Sequence, residues 1–310
     1  MPSALTFDEP ERLRDLAGYG QTPPNAIWPG GARVALSFVL NIEEGSESHI
    51  LDGDAASEHL NSDMICDPWP GQRNLNQESH YEYGSRVGVW RILDLFRARG
   101  LPLTAFAVAQ ALERVPAIAE QLVADGHEIA AHSWRWIDYR DMPEAEEAEH
   151  IRKTVAIIER LTGSRPDGWY TGRVSPNTRK LILEHGGFLY DSDAYNDDLP
   201  YWIAHKGGDH LVVPYAFDTN DMKFSSSPGF ETGRDWLDYL CDSFDQFWEE
   251  GAQTPRLMSV GLHCRLAGRP GRLRALARFL DHVQAHDNVW ITRRVDIARH
   301  WHETHPLRNG

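Results

Sequence analysis

The chain has 310 residues, is 41% hydrophobic and 25% charged, and carries a formal net charge of −15. That length allows one large domain or two smaller ones, and the apolar fraction is ample for a sizeable core. Acidic charge spread along the chain without a basic stripe argues against nucleic acid and against an anionic membrane, and leaves a neutral or cationic small molecule as the easier partner.

Residues 1–32 read as an extended arm. The opening stretch is charged and lacks the apolar core of a signal peptide, and Thr22-Pro-Pro-Asn-Ala-Ile-Trp-Pro-Gly-Gly is rich in turn formers. No run of ~18 apolar residues appears, so no spanning helix is expected. Three cysteines (Cys66, Cys241, Cys264) at unrelated spacings suit a reducing compartment, and the cytoplasm is the expected location.

A near-continuous apolar strand runs from Arg33 to Leu40. Residues 45–84 follow, rich in Ser, Asp, Asn, Gly and Pro and without periodicity. So long a structureless loop in a compact domain is unusual unless functional, and it reads as a lid or an oligomer contact. Residues 87–99 form a helix with Val89, Trp90, Leu93 and Phe96 on one face and Gly100 as its stop. Strand 103–108, helix 116–124 and strand 127–132 come next. Helix 143–161 is the clearest, with an acidic first turn that suits the helix dipole. Strand 168–171, helix 177–185, strand 211–214, a helix around 236–248, strand 257–263, helix 272–285, strand 289–291 and helix 294–302 complete the pattern. About seven strand–helix units predict one α/β domain over 1–310, a parallel barrel or a doubly wound sheet. The second lacks support, because neither GxGxxG nor GxxxxGK[ST] follows any strand.

Glu43, Glu44, His132, Arg173 and His263 each stand just after a predicted strand, where barrel enzymes place their chemistry. Each has a bland alternative: exposed glutamates capping a strand, a core histidine, a surface arginine. Five polar strand ends together favour a site. Adjacent carboxylates repel, which can raise one pKa into the range of a general base. Asp191, Asp193, Asp197 and Asp198 crowd one segment; most read as turn formers, and one could pair with Arg173. Cys264, next to His263, reads as a small buried residue rather than a nucleophile.

These positions resemble the polysaccharide-deacetylase superfamily: two acids ending a strand (Glu43-Glu44), a His motif (His132-Ser-Trp-Arg-Trp136), an Arg loop (Arg173), an Asp/Trp loop (Asp197, Trp202) and a late Leu262-His263. The closer likeness is to its metal-independent allantoinase branch. Arg14-Asp-Leu-Ala-Gly-Tyr-Gly, Phe38-Val-Leu-Asn-Ile-Glu-Glu-Gly, Tyr81-Glu-Tyr-Gly-Ser-Arg, Gly168-Trp-Tyr-Thr-Gly-Arg and Arg293-Arg-Val-Asp-Ile-Ala-Arg-His-Trp look like its signatures. The resemblance implies a distorted (β/α) barrel of about seven parallel strands, a cytoplasmic homotetramer, and hydrolysis of a small cyclic ureide or imide such as allantoin. The superfamily sets a second His four residues after the first, and such a pair can share one metal ion. Here that place holds Trp136, so no metal or other cofactor is expected; a weak zinc at Glu44 and His132 is the alternative.

The resemblance assigns catalysis to Glu43, Glu44, His132, His263 and Arg173, and substrate contacts to Trp136, Asp197, Trp202 and Asn220. Opening a cyclic amide requires a deprotonated water, a stabilised oxyanion and a protonated leaving nitrogen. One glutamate is expected as base with its pKa raised by the other, His263 as acid, and Arg173 on the substrate oxygen or the Asp-rich loop. Sequence does not decide which glutamate is the base. Carbohydrate N-deacetylation from a depleted metal site, hydrolysis of another cyclic imide, and a non-catalytic binding barrel are the competing readings.

Overall fold

A computed structural model describes residues 14–204 and 209–307. Residues 1–13 of the expected arm lie outside the described residues. Strand β1 (Val34–Ile42) is buried along all nine of its residues, as a strand covered on both faces must be. It pairs in parallel with β8 (Arg256–His263) along one edge. Its other edge is shared: β9 (Val289–Ile291) takes the first residues and β2 (Thr104–Ala107) the last. From β2 the parallel sheet continues through β3 (Glu128–Ala131), β4 (Gly168–Trp169), β5 (Tyr190–Asp191) and β7 (His210–Val212), and β6 (Tyr201–Ile203) pairs antiparallel on the outer edge.

Among the described residues the sheet therefore has nine strands rather than about seven, because β5 and β6 are too short to show a sequence period. Between β7 and β8 there is no ladder. Residues 214–221 bridge the gap, with Thr219 Oγ1 donating to the Ser259 carbonyl at 2.5 Å and Asn41 Nδ2 to the Tyr215 hydroxyl at 3.1 Å. The fully buried Arg294 plugs the interior there. Its guanidinium donates to Ser192 Oγ, Ser259 Oγ and the carbonyls of Val213 and Pro214. A charged side chain tolerates such burial because its donors are satisfied.

The helices lie where apolar periodicity places them: α2 (Val89–Arg99), α4 (Pro116–Ala124), α5 (Glu144–Thr162), α6 (Thr178–His185), α7 (Gly233–Glu250), α9 (Pro270–Gln284) and α10 (Arg294–Thr304). Gly100, at φ +62°, ends α2 as expected. Short helices α3 (Ala109–Arg114) and α8 (Cys264–Ala267) follow strands β2 and β8 directly. No helix among the described residues is long and apolar enough to cross a membrane.

The segment 45–84 is not structureless. It contains α1 (Leu75–Tyr83), capped by Asn74 through a bond from the Gln77 amide. A single π turn, Gly84–Gly88, joins α1 to α2. Two glycines in this turn permit close approaches that a Cβ would block. One added at Gly84 would stand 2.3 Å from Glu44 Oε1, and one at Gly88 1.9 Å from the Cys264 carbonyl oxygen. We predict that Gly88→Ala pushes α8 away from the barrel end. It should lower stability by roughly 1–3 kcal/mol, as overpacking does, and reduce activity in the folded fraction. Denaturant titration with a parallel rate measurement checks this; wild-type values for both would contradict the packing described.

Candidate active site

Four side chains from three strand ends meet at one point. Glu43 Oε1 lies 3.5 Å from His132 Nε2 and 3.3 Å from His263 Nε2. Glu43 Oε2 accepts a 2.6 Å bond from Arg265 Nη2, and Glu44 Oε1 accepts from Arg265 Nη1 at 3.1 Å. Strand β1 delivers both glutamates, β3 delivers His132, and β8 delivers His263. Helix α8 starts right after His263 and turns Arg265 back onto the two carboxylates. Glu43, Glu44, His132 and His263 are each 3% exposed or less, and Arg265 is fully buried.

Arg265 is the residue that sequence reading missed. An arginine two places after a strand-end histidine reads as a surface cation. Here the Tyr81 ring lies 4.1 Å and the Trp136 ring 5.4 Å from its Cζ, and its Nε donates to the Asn61 carbonyl at 2.7 Å. Asp221 was also missed, because nothing in the sequence beside the expected Asn220 marks it as buried. Its Oδ1 is 2.6 Å from His263 Nδ1, and its Oδ2 accepts the His263 and Ala267 amides. Asp221 therefore orients the imidazole and fixes α8 together.

The charges answer one another. Burial alone would raise the Glu43 carboxyl, but His263 and Arg265 outweigh it and hold it well below the usual range. The expected upward shift from like-charge repulsion is thus corrected for Glu43: His263 and then Arg265, which bonds both acids, pull it down. Burial works against protonated His263, yet Glu43 and Asp221 raise it to about 9. The carboxyl raised here is instead Glu47, pushed up to about 7 by burial. His132 Nδ1 lies 3.2 Å from the Tyr170 carbonyl and donates to it, so its Nε2 is the ring nitrogen that faces Glu43. That Nε2 is buried without a hydrogen-bond partner.

Arg173 does not pair with the Asp-rich segment. Its Nη1 donates to Glu58 Oε2 at 3.1 Å, its guanidinium lies 3.8 Å from the Trp136 ring centre, and Nη2 is buried without a partner. Asp193 acts on the Arg173 loop indirectly, accepting the Thr171 and Gly172 amides. Asp191 pairs with Arg179 and His210. The Cys264 thiol, pushed up by burial, donates to the Asn41 carbonyl, which fits a packing residue.

The expected substrate contacts divide. Trp136 lies between the two arginines. Asn220 caps the turn that presents Asp221 and donates to Tyr215. Asp197 accepts the Leu199 amide. Trp202, on outer strand β6, packs on His302 and donates to the His305 carbonyl. Asp197 and Trp202 thus lie away from Glu43, because the Asp/Trp loop leads into β6 and its Asp198 carbonyl accepts the Leu257 amide at the start of β8, the end opposite His263.

Segment 45–84 covers the cluster. Arg135 clamps Asp54 with two bonds of 2.9 and 2.6 Å, Arg173 holds Glu58, Arg265 holds Asn61, and the Trp136 amide bonds the Ser46 carbonyl. This is a lid pinned by arginines from three directions.

A Schizosaccharomyces pombe protein named as a polysaccharide deacetylase is 41% identical over 315 residues, covering 95% of this chain and 98% of its own. The chain belongs to the polysaccharide deacetylase family. The family model for polysaccharide deacetylases matches residues 79–186, from α1 to the end of α6. Among solved structures, a crystal structure of a PuuE allantoinase is 57% identical with a TM-score of 0.95, covering 96% of this chain and 100% of that one. A polysaccharide deacetylase structure from Pseudomonas aeruginosa PAO1 is 56% identical with a TM-score of 0.94 over the same shares. Such likeness bears out the distorted parallel barrel of the family.

The His263–Asp221 contact has a pH signature. The folded value near 9 lies above the ordinary value of 6.5, so the stabilisation is complete below about pH 6.5 and is lost as pH rises through about 9. Asp221→Asn should remove much of it. The stability difference between wild type and variant should be largest at pH 6 and shrink by pH 9.5. Urea midpoints across that range read it, and a difference that grows with pH would contradict the assignment.

Proposed function

We propose that this member of the polysaccharide deacetylase family hydrolyses cyclic amide C–N bonds, opening the hydantoin ring of allantoin to allantoate in purine catabolism. The observation that carries this reading is the sealed site. Both carboxylates and both imidazoles lie beneath a lid pinned by three arginines, which suits a small ring and leaves no open course for a polymer. The likeness to a PuuE allantoinase supports the same substrate class.

In this reading a water bonds Glu43 Oε1 beside His132 Nε2, which lies 3.5 Å from that oxygen. Its oxygen attacks the ring carbonyl while its proton passes to Glu43. Arg173 Nη2, buried and unpartnered, donates to the oxyanion. The C–N bond breaks as His263 Nε2 gives its proton to the leaving nitrogen. Loss of that charge raises the proton affinity of Glu43 at the moment it must hold the proton. Glu43 then returns it across the 3.3 Å contact with His263. Glu44 anchors Arg265, which fixes Glu43; the base is therefore Glu43 rather than Glu44.

Several features support reaction without a resident metal. Trp136 offers no donor atom. Glu44 Oε1 already accepts from the Arg265 side chain and main chain. A dication would have to share these carboxylates with a guanidinium. His132 Nε2 remains as one donor where zinc sites normally use three protein ligands. These residues do not fit a zinc ion. We also propose the homotetramer that the resemblance implies, and a cytoplasmic location, in keeping with three cysteines left as free thiols.

Purified protein offered allantoin should release allantoate at the same rate with and without a chelator. Release of acetate from N-acetylated oligosaccharides, with allantoin untouched, would replace this reading by deacetylation. Glu43→Gln should lower kcat by ~10²–10⁴-fold, the usual cost of losing a general base, with the fold retained by circular dichroism. A variant within tenfold of wild type would move the base to His132.

A further inference from the structure

Helices α7 and α9 pack against each other on the outside of the barrel, and three ligand-type side chains meet between them. Asp245 comes from α7, His282 from the last turn of α9, and His286 from the turn just beyond it. One ligand atom from each lies within 4.8 Å of the other two. None of the three takes part in the chemistry proposed above. His282 Nε2 lies 2.7 Å and His286 Nε2 3.9 Å from the same oxygen, Asp245 Oδ1.

The second distance matters. His286 Nδ1 lies 2.9 Å from the His282 carbonyl and donates to it, so the neutral ring carries a lone pair on Nε2. Two acceptors, an imidazole nitrogen and a carboxylate oxygen, then face each other beyond hydrogen-bond distance. A proton or a metal ion between them would satisfy both. The bond through Nδ1 is also the outer contact that metal-bound histidines usually make to fix ring orientation.

The rings are held in place. Phe244 packs edge-on against both imidazoles, with centroids 5.7 and 5.1 Å away, and Trp248 lies 5.4 Å from His286. Trp248 is itself tied by its indole N–H to the Asp287 carbonyl. All three ligand side chains remain partly open to solvent, so an ion has a way in and a water can complete the shell.

We infer that Asp245, His282 and His286 form a binding site for a borderline divalent transition metal, with Zn²⁺ as the representative ion. Two imidazoles and one carboxylate are zinc-type donors and a poor match for Ca²⁺ or Mg²⁺. Metal–ligand bonds of roughly 2.0–2.2 Å need ligand atoms about 3–3.6 Å apart in a tetrahedron. Small side-chain rotations reach this from the distances observed. Binding displaces the proton that His282 Nε2 shares with Asp245, and the neutral ring takes it up on Nδ1, so no net proton is released as the ion enters. The ion would staple α7 to α9.

The test is calorimetric titration of chelator-treated full-length protein with ZnCl₂, with wild type, His286→Ala, the His282→Ala/His286→Ala pair and His132→Asn compared. Wild type and His132→Asn should each take up one ion per chain. His286→Ala should bind on the order of 100-fold more weakly, since removing even an outer-shell partner costs 10–100-fold, and the pair should not bind. Zinc should raise the melting temperature of wild type but not of the pair, and hydrolytic rates should be equal in wild type and His286→Ala. His286→Gln, which preserves side-chain bulk, stands in if the alanine variants fail to fold. No uptake by wild type, or undiminished uptake by the pair or by His286→Gln, would overturn the site.

Discussion

The salt bridge of Arg265 to Glu43 and Glu44 is the interaction on which the active end of the barrel depends. Two adjacent carboxylates taken out of water would repel each other and lose hydration worth many kcal/mol. One planar guanidinium bonds both, and its Nε–H holds the lid at Asn61. The flat faces of Tyr81 and Trp136 border it, where cation–π attraction replaces some of the lost hydration. Charge is then nearly balanced: Arg265 and His263 against Glu43, Glu44 and Asp221. Removing the arginine would leave buried charge without compensation, so neither the strand ends nor the lid could keep their places.

The placement of Arg265 stems from local backbone. His263 ends β8 and α8 begins at once, so the next side chains sweep back over the barrel mouth. Asp221 secures this sharp change by accepting the amides of His263 and Ala267. The π turn of Gly84–Gly88 lets α2 approach α8 closely enough to seal the opposite flank. Thus three segments far apart in sequence, around residues 84, 221 and 265, fix one cation.

Much of the scaffold was legible. Strand β1 announces itself by an apolar run that only a doubly covered strand needs, and α4 and α5 by periodicity and their proline and glycine borders. What was hidden had too little sequence to form a pattern. Strand β5 is two residues long, and α1 is polar, stabilised by an Asn74 cap and tertiary contacts rather than an apolar face. Four of the five predicted catalytic residues converge, because strand ends in a parallel sheet share one side; Arg173 joins them at the edge through Trp136. Arg265 and Asp221 were illegible for a physical reason: a charged residue in a polar turn looks the same whether it faces water or another buried charge. The raised carboxyl expected of the pair is not Glu43 for the same reason, since repulsion was visible in the sequence and the cations His263 and Arg265 around it were not. Asp197 and Trp202 lie elsewhere because an antiparallel strand, unmarked in the sequence, takes their loop to the sheet's edge.

The π turn has a consequence for how this scaffold can vary. One extra residue in a helix rotates the turns before it by about 100° relative to the turns after it. The face of α1 that meets the lid is thereby set independently of the face of α2 that meets the core. Gly45, at φ +90°, hinges the other end of the same stretch. The parts of this stretch that make none of the contacts to Arg135, Trp136, Arg173 and Arg265 can vary in length and composition while β1 and α2 stay in register. The roof over Glu43 and the two histidines can thus be altered, and with it what enters, without rebuilding the walls.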